Sequence, residues 1–159
     1  KVLRQSERSE LSQMFGTAIE KLPDLVFEIP LANGNFRVAF EIERTRKTQS
    51  RYDALVQAYS KASQIQLVLI AYNDRSVFDS IRGSMTSLQY PSSMRPIAFC
   101  KISDLHQNFS DFPIWISGER VLFQTYIQNL RKLSGAQDLT ESEYRSERGL
   151  VLGEVNGCV

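Results

Sequence analysis

The chain is poor in the residues that most often announce a chemistry. Its 159 residues include one His, one Trp and two Cys. A lone His106 excludes a histidine-rich metal centre, and no nucleophile–His–acid arrangement can be read around it; a surface or capping role is expected there. Cys100 lies in an apolar, strand-like run and Cys158 sits one residue from the end. Their spacing suits neither a zinc site nor a disulfide framework. No Walker-type loop and no G-x-G-x-x-G is present, which removes the usual signals for nucleotide hydrolysis and dinucleotide binding. No apolar run approaches the roughly 20 residues that a membrane span requires, and no signal-peptide pattern opens the chain. A reducing, cytoplasmic setting without a membrane is the expectation. The chain starts at Lys1 rather than Met, as expected of a trimmed chain or a piece of a longer protein.

What is present is ordinary in bulk. Apolar residues make up 42% and charged residues 23%, enough for one normal core in one domain. The 19 basic and 18 acidic residues leave a formal charge of +1. Any preference for a polyanion must therefore come from local clustering of charge.

Apolar periodicity divides the chain into elements. Leu11, Met14, Phe15, Ala18, Ile19 and Leu22 recur at helical spacing, which predicts a helix over Leu3–Leu22 that Pro23 ends. Leu25–Ile29 and Phe36–Ile42 read as strands, with Asn33-Gly34 between them as a type I′ hairpin signal. Thr48 or Ser50 is placed to cap a helix running to about Ser63. Ile65–Tyr72 is a continuous apolar run, as in a buried central strand. A helix follows over Ser76–Leu88, then a loop with Pro91 and Pro96, a strand over Ile97–Ile102, a short helical piece near His106 and a short strand over Pro113–Ile116. Glu119–Leu133 has the pattern of an amphipathic helix, with Val121, Leu122, Tyr126, Ile127 and Leu130 as core positions. Trp115, Phe123 and Tyr126 are expected in core packing rather than stacked on bases. Beyond Ser134 the pattern fades, so the folded domain is expected over 1–134 and a tail or packing arm over 135–159. The order of elements predicts a mixed-sheet α/β domain.

The hairpin serves as a ruler. A turn at Asn33-Gly34 pairs Ala32 with Asn35 and sets Asp24 opposite Glu43. Paired residues share a face, as do residues two apart along a strand. Asp24, Glu41 and Glu43 thus fall on one face, and Leu25, Phe27, Ile29, Val38, Phe40 and Ile42 on the other. A one-residue slip would mix these sets. Converging carboxylates repel, and a hard divalent cation such as Mg2+ or Mn2+ would offset that cost. Arg44, Arg46, Lys47 and Arg51 follow directly. Carboxylates, a cation and neighbouring basic groups are what phosphodiester hydrolysis requires. The competing view of the same residues is a solvated sheet face ending in a salt-bridge-rich loop.

Pro23-Asp24, then Glu41-Ile42-Glu43, then Lys47 before a helix, resembles the PD-(D/E)xK nuclease superfamily over roughly Leu11–Tyr72. The resemblance implies a restriction-endonuclease-like fold: helix, three-stranded meander, helix and a further strand, in a central mixed β-sheet flanked by helices. It also implies Asp24 and Glu41 as metal ligands. Glu43 stands where the motif usually has its lysine, an E-x-E form found in some members, with Lys47 supplying the cation from the following helix. An acidic residue of the first helix, Glu20 in preference to Glu10, would complete the catalytic set of Asp24, Glu41, Glu43 and Lys47. Gln57 or Arg51 would face substrate from the second helix, with Arg44 and Arg46 on the DNA backbone. Tyr59 is expected in the core, and Tyr52 at the mouth of the site. The segment Glu41–Tyr59 is also similar to replication-relaxation and mobilisation-type proteins of plasmids and mobile elements. The resemblance therefore implies a Mg2+-dependent endodeoxyribonuclease acting on DNA, as a homodimer or beside an accessory DNA-binding domain. The alternative is a catalytically inactive DNA-binding or protein-interaction module on that fold.

Overall fold

The computed structural model describes residues 2–4, 12, 23–91, 96–108 and 111–135. They form an α/β arrangement in which a mixed sheet is flanked by helices on both faces. The strands are β1 (Val2–Arg4), β2 (Leu25–Leu31), β3 (Gly34–Glu43), β4 (Leu67–Tyr72), β5 (Ile97–Lys101), β6 (Pro113–Ile116) and β7 (Glu119–Leu122). The helices are α1 (Gln49–Lys61), α2 (Arg75–Ser87), α3 (Ile102–Gln107) and α4 (Phe123–Leu133). The strands lie in chain order across one seven-stranded sheet. β1, β2 and β3 form an antiparallel meander. β3, β4 and β5 are parallel, which requires crossovers, and α1 and α2 supply them. β6 and β7 return antiparallel.

The central strand shows why this order arises. Leu67–Tyr72 is buried along its whole length, because a parallel strand between two others is covered on both faces. On one face Val26, Ala39, Val68, Ile70, Tyr72, Ile97 and Phe99 meet the ridge Tyr52, Leu55, Val56 and Tyr59 of α1 and Val77, Phe78 and Ile81 of α2. That ridge repeats at three and four residues, as one helix face must. On the other face Val38, Leu67, Leu69, Ala71, Ala98, Cys100, Ile114 and Ile116 pack with Phe27, Phe40, and Phe123 and Tyr126 of α4. Burial pushes the Cys100 thiol up to about 12, consistent with a structural rather than a reactive cysteine. Among the described residues no helix is long and apolar enough to cross a membrane.

Three expectations about secondary structure need correction, and Trp115, expected in the core, is exposed. Leu3 and Arg4 are not helical: they pair with Val26 and Leu25 and supply the first strand of the meander. Most of the expected helix lies outside the described residues. The β2–β3 turn is centred on Ala32-Asn33, with Leu31 level with Gly34. Type I′ needs positive φ at both central residues, whereas in this hairpin positive φ falls on Gly34. Finally, Glu119–Leu122 is strand β7 and the helix starts at Phe123. Ser117 and Gly118, at φ 52 and φ 88, form the two-residue turn that sends the chain back. Val121 and Leu122 are therefore strand residues, and Leu122 is exposed. Thr48 stands at the N-cap of α1 without a capping bond; its hydroxyl meets Ser50 Oγ at 3.1 Å. Asp74 caps α2, accepting from Ser76 N at 2.7 Å.

Candidate active site

The observed register shifts the β2–β3 pairing by two residues from the expected one. Leu25 lies level with Phe40, so Asp24, just before β2, comes level with Glu41 rather than Glu43. A shift of two preserves faces. Leu25, Phe27, Ile29, Val38, Phe40 and Ile42 still share one face, and Glu41 and Glu43 share the other with Val26 and Ala39.

Asp24 is held by its side chain. Its Oδ2 accepts from Ile42 N at 2.8 Å, where a strand carbonyl would otherwise continue the ladder. Glu41 and Glu43 point beneath α1 and are only 1% and 3% exposed. A buried carboxylate is costly unless hydrogen-bonded, and the Tyr59 hydroxyl donates to Glu41 Oε1 at 2.7 Å. Burial first, then the Glu41 charge and its hydrogen bond, then the Asp24 charge, push the Tyr59 phenol well above its ordinary value. Tyr52, two helical turns earlier, is wholly buried rather than at a mouth. Its hydroxyl accepts from Lys47 N at 3.0 Å. Burial raises its pKa, the backbone bond from Lys47 opposes, and the Glu43 charge adds to the rise. Two tyrosines on one ridge of α1 thus lie over two glutamates on one face of β3.

Glu41 and Glu43 lie toward the carboxyl end of β3, level with Ile70 and Tyr72 of β4. In open α/β sheets, ligands bind outside the carboxyl ends of the strands. There the chain carries Arg44, Arg46 and Arg51, all exposed, and half-buried Lys47. Lys47 Nζ donates to Thr45 Oγ1 at 3.1 Å. Gln57 is exposed on α1, off the ridge of Tyr52, Val56 and Tyr59. Glu10 and Glu20 lie outside the described residues, as does the arm beyond 135. Among the described residues no three His, Cys, Asp or Glu side chains gather as a ready cation cage. The tyrosine partner of Glu41 escaped the sequence reading, because a Tyr at helical core spacing looks like packing alone.

Comparison with family models, with curated proteins and with solved structures finds no match to this chain.

Proposed function

We propose that this chain is a metal-dependent nuclease-type domain of the PD-(D/E)xK kind, with a restriction-endonuclease-like fold, that hydrolyses DNA phosphodiester bonds. The observation that carries this reading is the hairpin register. It sets Asp24 level with Glu41, with Glu43 on the same face at the carboxyl end of β3, just before the basic segment Arg44–Arg51. The meander, the crossover helix α1 and parallel β4 also agree with the order that the resemblance implies.

The donor set fits a hard cation, since it is carboxylate oxygen throughout. Mg2+ is commonly held by one or two carboxylates together with substrate phosphate rather than by an all-protein cage. A cation that assembles with DNA therefore does not need a preformed cluster of three. Asp24, Glu41 and Glu43 would hold Mg2+ or Mn2+, whose chemistry is activation of a water and neutralisation of phosphoryl charge. Lys47 adds positive charge at the scissile phosphate. Arg44, Arg46 and Arg51 grip flanking phosphates, a contribution that weakens as salt rises.

A second reading, DNA held without being cut, is favoured by the burial of Glu41 and its bond to Tyr59. Calorimetry with Mn2+, with and without a DNA duplex, separates the two. The first reading expects cation binding and cleavage in the wild type. Both should be lost by about a hundredfold or more in Asp24→Asn, since even an outer partner of a ligand is worth 10–100-fold. Asn retains the oxygen that accepts from Ile42 N, so the fold should persist. Cleavage that survives in Asp24→Asn rejects the assignment. DNA binding that ignores Mn2+ and yields no product establishes the second reading.

A further inference from the structure

Trp115 is 41% exposed and belongs to neither apolar cluster, although its sequence context reads as core. The β6–β7 hairpin has two unlike faces. Ile114 and Ile116 are buried beneath the side of the sheet that α4 covers. Pro113, Trp115, Arg120 and Leu122 share the opposite face, because Trp115 lies level with Arg120 and Pro113 with Leu122. Leu122 is 43% exposed and Arg120 is exposed. No carboxylate of the two strands lies on that face, since Glu119 is level with buried Ile116.

The register also locates this face. Glu41, Ile70, Phe99, Trp115 and Arg120 form one row across the sheet. α2 covers the row as far as Phe99, whose ring lies 4.8 Å from that of Phe78. Trp115 is the first residue of the row beyond that cover. It stands about 14 Å from Glu41, three strand spacings away. The guanidiniums of Arg75 and Arg82 lie 4.5 and 5.5 Å from the Phe78 ring centroid, and Arg75 is paired with Asp79 at 3.1 Å.

We propose that the bare face of the β6–β7 hairpin, with Trp115 and Arg120 at its centre, is a contact surface for single-stranded nucleic acid. An open indole stacks on any base, and a guanidinium beside it meets the phosphate. That combination binds single strands with little sequence preference. A protein partner also uses Trp and Arg as anchors, but the one charge that the described residues of β6 and β7 set on this face is the Arg120 cation, so such a partner gains from it only by bringing carboxylates. A nucleic acid always brings anions. The surface stands independently of cation binding at Asp24 and Glu41, because stacking and phosphate contact need no metal.

The chain's single tryptophan makes the test direct. A short oligo(dT) is titrated into the full chain in EDTA while Trp emission is followed, and binding is read in parallel by anisotropy of a labelled oligo(dT). Saturable quenching is expected. Trp115→Ala should weaken binding about tenfold, the effect of losing one stacked base. Arg120→Gln should lower the slope of log affinity against log salt by about one, and it reports even if the Trp variant folds poorly. Equal quenching by oligo(U) supports a platform indifferent to the sugar. Four results overturn the proposal: emission unchanged at saturation, wild-type affinity in both variants, quenching by duplex alone, or a blue shift that grows with protein concentration without oligonucleotide. The last would assign the face to a second copy of the chain.

Discussion

Two hairpins toward opposite ends of one sheet meet solvent in opposite ways. In β2–β3 the polar face is the covered one: Glu41 and Glu43 lie under α1 and are buried. In β6–β7 the aromatic residue is the open one: Trp115 is exposed, and no helix among the described residues lies above it. Hydrophobicity alone would reverse the two. What decides is the path of the crossovers. α1 joins β3 to β4 and α2 joins β4 to β5, so both helices cover the middle of the same face. β6 and β7 are joined by a tight turn that brings no helix to that face. Connectivity thus buries Glu41 and Glu43 and leaves Trp115 open, each against its local chemistry, and each of the two proposed surfaces includes such residues.

The sharpest break of this comparison lies within β6. Ile114 and Trp115 are adjacent but on opposite faces. Ile114→Ala should cost about 3 kcal/mol, because it empties a wholly buried site that α4 closes. Trp115→Ala should cost about 1 kcal/mol or less, as expected of an open position. Urea unfolding followed by circular dichroism of the two variants checks the contrast. A Trp115→Ala loss as large as that of Ile114→Ala would place the indole in the core and remove the bare face.

The next effect concerns how β2–β3 tolerates buried charge. Tyr59→Phe removes the donor to Glu41 and should cost about 2 kcal/mol, the range for a hydrogen bond to a charged group. In a Glu41→Gln background the same change should cost about 1 kcal/mol, because the bond is then neutral. The pH dependence has a definite sign. The folded pKa of Tyr59 is raised above the ordinary value of 10, so above that pH the unfolded chain loses its proton first. The stabilisation is whole below pH 10 and fades as pH climbs toward the folded value. Urea midpoints between pH 9 and 11.5 should therefore fall more steeply in the wild type than in Tyr59→Phe. Parallel curves would remove Tyr59 as a source of the alkaline loss.

Part of this was legible in the sequence. The alternation of Leu25–Ile29 and Val38–Ile42 specifies faces, and any even shift of register leaves faces intact. The carboxylates therefore fall on the right face even though the expected turn lies one residue too far along and the expected pairing is two residues out. The apolar run Leu67–Tyr72 announced its double cover for the same reason: a pattern determined by burial survives errors in turn geometry. The β6–β7 hairpin was missed because Val121, Leu122, Tyr126 and Ile127 fit helical spacing across a strand–helix junction. The signal available was Ser117-Gly118, a turn pair between two apolar strands. Leu3 reads as helical because a three-residue strand has no period of its own, and its partner Val26 lies far along the chain. The Tyr59–Glu41 bond depends on how α1 settles over β3, which no local pattern encodes.

The smallest effect tests what selects the observed β2–β3 register. Sliding the pair by two residues, to a turn on Asn33-Gly34, would keep every apolar side chain on its face, so burial does not choose between the two. Specific contacts do. Glu28 lies level with Arg37, and their side chains meet at 2.7 Å. Asn35 Nδ2 donates to the other Glu28 oxygen at 3.2 Å. Asp24 takes Ile42 N at the far end. Glu28→Gln weakens one of these ties and should cost about 0.5 kcal/mol, in the range of a partly screened pair. The register should hold, because the Asp24–Ile42 contact remains. A second set of backbone amide resonances along β2 and β3 in this variant would show that the slipped register is populated. Asp24 would then stand level with Glu43 in part of the molecules, and the acidic site would owe its geometry to a single ion pair at the opposite end of the hairpin.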